Sequence, residues 1–380
     1  MNNFSGRKLH FVFIFLMIMI MGNSCQTSKD FYLLAGTYTK TGSKGIYVYK
    51  FDAESGNPKL VSNTDSAVNP SYIALSGNYL YAVNETGGDK PGRVSAYSFD
   101  KKNGKLTLLN SQLSGGDDPC FVSLTKDGKW VAVGNYSGGN FSIFPVNEDG
   151  SLKPSSQVIQ HEGSGPNKDR QSKPHVHATV FSPDNNYLLV TDLGLDKIMV
   201  YKFDKNNQKP VSDTPFSIVS VTPGGGPRHI TFSNDGKHVY LVRELDGMAN
   251  VFDYKDGELK QIQEIAMHPG SDPTKMDGAE IVISPDNKFL YISNRGKENS
   301  LSIFSIDETT SKLTSIGYQS VSGKNPRNFI IDPTGNYLLV ANQDSNNVTI
   351  FKRDKKTGLL EKTDKELEIP MPVCLKIVPE

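Results

Sequence analysis

Cysteine and tryptophan are scarce in this chain: three Cys and one Trp among 380 residues. So little cysteine excludes a disulfide-stapled scaffold and a Cys-rich zinc module. Charge of either sign in excess is also missing, because 41 Lys and Arg face 41 Asp and Glu. A balanced chain offers no electrostatic case for binding nucleic acid or an anionic membrane surface. There is no G-x-S-x-G nucleophile elbow and no G-x-x-x-x-G-K phosphate cradle. Nothing beyond the first thirty residues reads as a long amphipathic helix. No set of His, Cys, Asp and Glu has metal-ligand spacing, so neither a metal nor another cofactor is expected.

Only one long apolar run is present, and it lies at the start. Arg7 and Lys8 precede FVFIFLMIMIMG, which is too short for a comfortable bilayer span and has the charge and length of a secretory signal. It ends in GNSC and resembles a bacterial lipoprotein signal, with Gly22 where an aliphatic residue is usual. Residues 1–24 are therefore expected to be a cleaved signal peptide and Cys25 the lipidated mature N-terminus. Residues 25–30 would form a tether, and the protein would be exported as a periplasmic or outer-membrane-attached lipoprotein whose only membrane contact is its lipid. Cys120 and Cys374 remain, and are expected to be buried, unpaired thiols.

Thirty-seven percent of residues are apolar, enough for a large core, and their distribution is repetitive. NPSYIALSGNYLYAVNE from Asn69 is followed by DPCFVSLTKDGKWVAVGNY from Asp118, KPHVHATVFSPDNNYLLVTD and GPRHITFSNDGKHVYLVREL from Gly226. DGAEIVISPDNKFLYISNRG from Asp277 and NPRNFIIDPTGNYLLVANQD from Asn325 follow, and MPVCLKIVPE from Met371 is a last half-copy. Starts lie roughly 46 to 55 residues apart, a spacing that points to a propeller or solenoid. Each copy opens with a short strand after Pro or Gly. A turn of Asp, Asn and Gly follows, then a second strand, a third such as IMVYKFD, and a weaker fourth. Four antiparallel strands make a propeller blade. Seven second strands begin with FYLLAG at Phe31, and seven first strands end with VCLKIV at Val373. The expected fold is all-β: one seven-bladed β-propeller over residues 31–380, closed by N- and C-terminal strands that share a blade.

In such a blade the start of strand one and the end of strand two lie on the same face, around the channel mouth. Two rings of residues can be read there. The first is Ser71, Cys120, His175, Arg228, Ala279, Arg327 and Val373; the second is Thr37, Glu85, Tyr136, Leu193, Glu244, Arg295 and Gln343. His177 joins His175, because residues two apart on a strand share a face. An imidazole pair, carboxylates and several guanidiniums thus converge on one mouth. His175, His177, Arg228, Glu244 and Arg295 are the stronger functional candidates; Glu85 and Arg327 read as solvated surface charges or, with Tyr136 and Gln343, as substrate contacts. His229 and His238 read as structural or surface residues, and His161 and His268 as loop residues.

With these motifs placed, the chain resembles the seven-bladed propeller lactonase family, which includes propeller-type 6-phosphogluconolactonase and the fungal carboxy-muconate lactonizing enzyme. The resemblance runs from LLAGTYT at Leu33 to the C-terminus and rests on GTYT, NPSYIA, AVNE, GNYSGG, RQSKPHVHA, GPRH, REL, NRG and NPRNF. It implies active-site roles for His175 or His177, Arg228, Glu244 and Arg295. It also implies a small-molecule lactone substrate, with no nucleic acid and no obligate protein partner. Lactone hydrolysis needs a proton acceptor for water, which is Glu244 or a histidine. Arg228 and Arg295 would hold the developing oxyanion or a substrate anion. Lactone formation, as in the muconate enzyme, and non-catalytic binding of a sugar acid or a protein on the same mouth are the alternatives. Typical phosphogluconolactonases are cytoplasmic, so the export signal separates reaction class from substrate.

Overall fold

The protein is described by a computed structural model covering residues 1–2, 30–65, 67–268 and 276–380. All but the first two residues of the expected signal peptide, Cys25 and most of the tether lie outside the described residues. Every regular element among the described residues is a β-strand, and the strands form seven four-stranded antiparallel sheets.

The innermost strands are β4 (Ile73–Ser76), β8 (Pro119–Leu124), β12 (Val176–Phe181), β16 (Pro227–Phe232), β20 (Gly278–Ile283), β24 (Pro326–Ile331) and β28 (Pro372–Pro379). Their hairpin partners are β5 (Tyr79–Asn84), β9 (Trp130–Asn135), β13 (Tyr187–Asp192), β17 (His238–Arg243), β21 (Phe289–Asn294), β25 (Tyr337–Asn342) and, for β28, β1 (Asp30–Thr37). The hairpins reuse one turn chemistry. Asn185 and Asn287 adopt φ 58°, and Gly128, Gly236 and Gly335 hold the same turn position at φ 68° to 72°. Asn tolerates this left-handed conformation and Gly meets no penalty there. Within these turns Ser182 donates to Asp184 at 2.5 Å and Ser233 to Asp235 at 2.6 Å.

Second strands pack between two neighbouring blades and read as nearly continuous apolar runs. All six residues of β21 and β25 are buried, whereas the outermost strand β3 (Asn57–Asn63) has no buried residue. The ring closes as expected. β28 pairs antiparallel with β1, with Leu33 opposite Ile377 and Gly36 opposite Cys374. Phe31, Leu33 and Phe51 of this shared blade pack against Tyr337, Leu339 and Ile350 of the preceding one. The joint therefore removes two free sheet edges.

One feature departs from simple alternation and builds the site. The first–second strand register shifts at Cys120, at His177, at Arg228 and His229, at Ala279 and Glu280, and at Arg327. A bulge leaves its extra residue outside the ladder and re-aims the side chain. Here the bulges recur at the channel end of successive inner strands. Left-handed residues bring the chain into several of them: Asp118, Gly226 and Asn325.

Candidate active site

Glu244, the first residue after β17, is 3% exposed and sits at the centre of the cluster. Its Oε2 lies 2.9 Å from Arg228 Nε, 2.9 Å from Arg295 Nη2 and 3.7 Å from His177 Nε2. Its Oε1 accepts from Arg170 Nη2. Burial by itself would raise this carboxyl; Arg295, Arg228 and Arg170 overrule it and hold the pKa at about 2. Glu244 is thus a permanent anion that assembles three guanidiniums.

Arg228 occupies the β16 bulge and is 1% exposed. Its Nη1 donates to Ala279 O at 2.6 Å and lies 3.1 and 3.2 Å from the two nitrogens of His229, so it sits over the ring rather than bonding one nitrogen. Burial and the Arg295 charge bring its pKa down to about 10, which leaves it charged at neutral pH. Below it, His229 Nδ1 meets Glu280 Oε1 at 3.1 Å, and Glu280 accepts from Asn328. Burial and Arg228 lower His229 to about 4, so it is neutral. Tyr72 and Phe121 stack on each other and pack edge-on to His229. His229 is buried against Arg228, not on the surface.

The paired imidazoles sort into two environments around Tyr136, which follows β9. His175 stacks on the Tyr136 ring at 4.4 Å, and His177 meets it edge-on at 5.4 Å. His175 is half-buried. Its Nδ1 lies 3.0 Å from Tyr136 O, so Nδ1 carries the proton and Nε2 the lone pair. Its backbone N–H donates to Asp192 at 2.9 Å, and Asp192 also meets His161 Nδ1 at 2.7 Å. Burial lowers the His175 pKa. His177 is 4% exposed, and burial with the Arg228 charge drives its pKa well down. Its Nδ1 is 3.8 Å from Cys120 Sγ. Cys120 and Cys374 are free and buried, and burial raises both thiols, so neither is a ready nucleophile.

Arg295 follows β21; its Nη2 also meets Asp277 Oδ1 at 2.7 Å. Glu85 and Arg327 come from other blades, and the Arg327 charge acts on His177, Arg228 and Glu244 without a direct bond to them. Tyr38 donates to Glu85 Oε1 at 2.7 Å, and the Arg327 guanidinium lies over the Tyr38 ring at 5.5 Å. Gln343 stands apart. Its amide donates to Asp344 at 3.0 Å, and it bonds to no other candidate.

Sequence reasoning missed Arg170, Tyr38 and Asp277. Arg170 comes from the loop between β11 (Gln157–Gln160) and β12, so neither ring contains it, although the RQSKPHVHA motif does. The buried Gln171 pins that loop through Leu193 O at 2.8 Å and Asp196 at 2.7 Å. Tyr38 lies in the GTYT motif, and Asp277 opens a repeat. Among the described residues no group of three or more His, Cys, Asp and Glu is placed to hold a metal ion.

The closed propeller thus gathers a buried carboxylate, three guanidiniums and two imidazoles of lowered pKa in one cluster. Residues 32–377 match the family described as lactonase, 7-bladed β-propeller. A 6-phosphogluconolactonase of Formosa agariphila is 39% identical over 341 residues, covering 89% of this chain and 96% of that protein. The 6-phosphogluconolactonase of Bacillus subtilis is 37% identical over 350 residues, covering 90% and 97%. The solved structure of a periplasmic gluconolactonase from Pseudomonas aeruginosa is 36% identical, has a TM-score of 0.87 and covers 92% of this chain and 99% of that one. The chain belongs to the seven-bladed β-propeller lactonase family, and its 6-phosphogluconolactonase relatives mark it as a lactonase, a carboxylic ester hydrolase.

Proposed function

We propose that this protein hydrolyses a sugar-acid or related anionic lactone at the channel mouth. The observation that carries the reading is the Glu244 hub, which holds Arg228 and Arg295 charged on one carboxylate oxygen beside the neutral His177. At a pKa of about 2 and clamped by arginines, Glu244 is a poor proton acceptor. That work falls to His175, whose Nδ1–H is committed to a backbone carbonyl and whose Nε2 is free of a proton.

His175 Nε2 takes a proton from water as the water oxygen bonds to the lactone carbonyl carbon. The carbonyl oxygen becomes an oxyanion, stabilised by Arg228 and Arg295 through charge-assisted hydrogen bonds. The ring C–O bond then breaks, and the imidazolium returns its proton to the departing alkoxide. The product is the open hydroxy acid. Positioned acid–base catalysis contributes about 10²–10⁴-fold, and an oxyanion donor about 10²–10³-fold.

The same reading places the protein outside the inner membrane, lipidated at Cys25. Arg7, Lys8, the apolar run and GNSC support that placement, as does a relative named as periplasmic. A lactone met there is unphosphorylated, because phosphorylated sugar lactones arise in the cytoplasm. Acid release from a panel of aldono- and uronolactones, followed at constant pH, tests the proposal. Opening of at least one lactone is expected; a folded protein that opens none, yet binds the corresponding acids, would be a binding module instead.

A further inference from the structure

Of the four arginines at the mouth, three have carboxylate partners. Arg170, Arg228 and Arg295 meet Glu244, and Arg295 also meets Asp277. Arg327 is different. It is half-buried on the β24 bulge and makes no ion pair or hydrogen bond with any described residue; its guanidinium lies over the Tyr38 ring, and the Glu85 and Glu244 charges reach it at longer range. Tyr38, Glu85 and Glu244 outweigh burial and keep the guanidinium charged, yet no anion touches it, which leaves its fork open to one.

Its neighbour is unsatisfied in the complementary sense. Tyr38 occupies Glu85 Oε1, while Glu85 Oε2 is buried and has no hydrogen-bond partner. A carboxylate oxygen can only accept, so it requires an O–H or N–H donor. The Glu85 backbone is held in place. Glu85 N–H donates to Asn69 O at 3.1 Å, and Asn69 Nδ2 donates back to Glu85 O at 3.0 Å. Arg327, Tyr38 and Glu85 come from consecutive blades, and the Arg327 charge also acts on His177 and Arg228 across the mouth.

We infer that Arg327 and Glu85 form a specificity subsite for a second, free carboxylate on the substrate with a hydroxyl on the adjacent carbon. The inference rests on the lactone-hydrolysis reading and narrows it. The planar guanidinium fork matches a carboxylate, and Glu85 Oε2 takes the neighbouring hydroxyl. The substrate class is the monolactone of an aldaric acid, with one end closed in the ester and the other an α-hydroxy carboxylate. A phosphate would also suit the fork, but its second negative charge would face Glu85.

The test compares kcat/KM for three lactones of one sugar: the neutral aldonolactone, the aldaric monolactone and the 6-phosphorylated aldonolactone. Wild type is expected to favour the aldaric monolactone at least tenfold over the other two. Arg327→Met should lower kcat/KM at least tenfold more for the aldaric than for the neutral lactone, and Arg327→Lys, which keeps charge without the fork, should fall between. Calorimetric titration with free aldarate gives a readout independent of turnover, in which Arg327→Met should weaken binding at least tenfold with an unchanged thermal melt. Equal losses on charged and neutral lactones, or unchanged aldarate affinity, would overturn the subsite. Preference for the phosphorylated lactone would overturn the carboxylate assignment. Arg327-dependent aldarate binding without turnover of any lactone would uphold the subsite and reject hydrolysis.

Discussion

Replacing Glu244 with Gln removes the one charge that three guanidiniums share. Its carboxyl is held at about 2 rather than 4.5, which corresponds to roughly 3 kcal/mol of stability at neutral pH. Breaking a buried ion pair from one side costs about 3–5 kcal/mol, in line with that figure. Arg170 contributes least, because its side chain is 43% exposed and screened by solvent. With an unfolding entropy of about 2.1 cal/mol/K per residue over a propeller of this length, 3–5 kcal/mol lowers Tm by about 4–7 °C. The folded-state pKa is depressed, so this stabilisation is fully present above about pH 4.5 and fades as pH falls toward 2. Thermal melts of wild type and Glu244→Gln at pH 7, 5 and 3 should therefore show a constant gap at the two higher values and a smaller one at pH 3. Lactone turnover should fall by about 10²-fold or more, because Arg228 and Arg295 lose their shared anchor. A variant that melts with wild type at pH 7, or a gap that widens on acidification, would refute the reasoning.

Three further expectations follow from other parts of the molecule. His175→Gln should lower kcat/KM by about 10²-fold or more and abolish the acidic limb of its pH profile; since burial lowers this imidazole, the wild-type limb should lie below pH 6.5. A limb that persists in the variant would assign the proton work elsewhere. Deleting residues 372–380 removes β28, strips Val373, Cys374 and Leu375 from the core and leaves β1 an open edge, so the truncated chain should aggregate or lose its cooperative melt. Cys25→Ala should release the protein from the membrane fraction; a wild-type chain that keeps Met1 and fractionates with cytosolic enzymes would contradict the export reading.

The blade count and the shared closing blade were legible because turn chemistry and strand order recur in every copy and the N- and C-terminal half-copies complement each other. The mouth was legible because strand direction alone places Arg228, Glu244 and Arg295 on one rim. What escaped did so for physical reasons. Bulges at the inner-strand openings break the period-2 rule, so Arg228 and His229 both belong to one layered cluster where alternation would separate them. Arg170 reaches Glu244 from a loop whose path depends on the buried amide of Gln171. Gln343 occupies the ring position of Glu244 and Arg295 in its own blade, yet its amide binds the adjacent Asp344, a local choice that no repeat pattern encodes. The proximity of Cys120 to His177 is likewise tertiary, since 57 residues separate them.

The most direct test of the mouth as the catalytic centre is the turnover of Arg228→Met on the lactone that wild type opens fastest, measured as acid release on protein whose melt confirms the fold. A fall of about 10²-fold or more in kcat is expected, because this guanidinium lies 2.9 Å from Glu244 and supplies the oxyanion contact. Wild-type turnover by the folded variant would contradict the account.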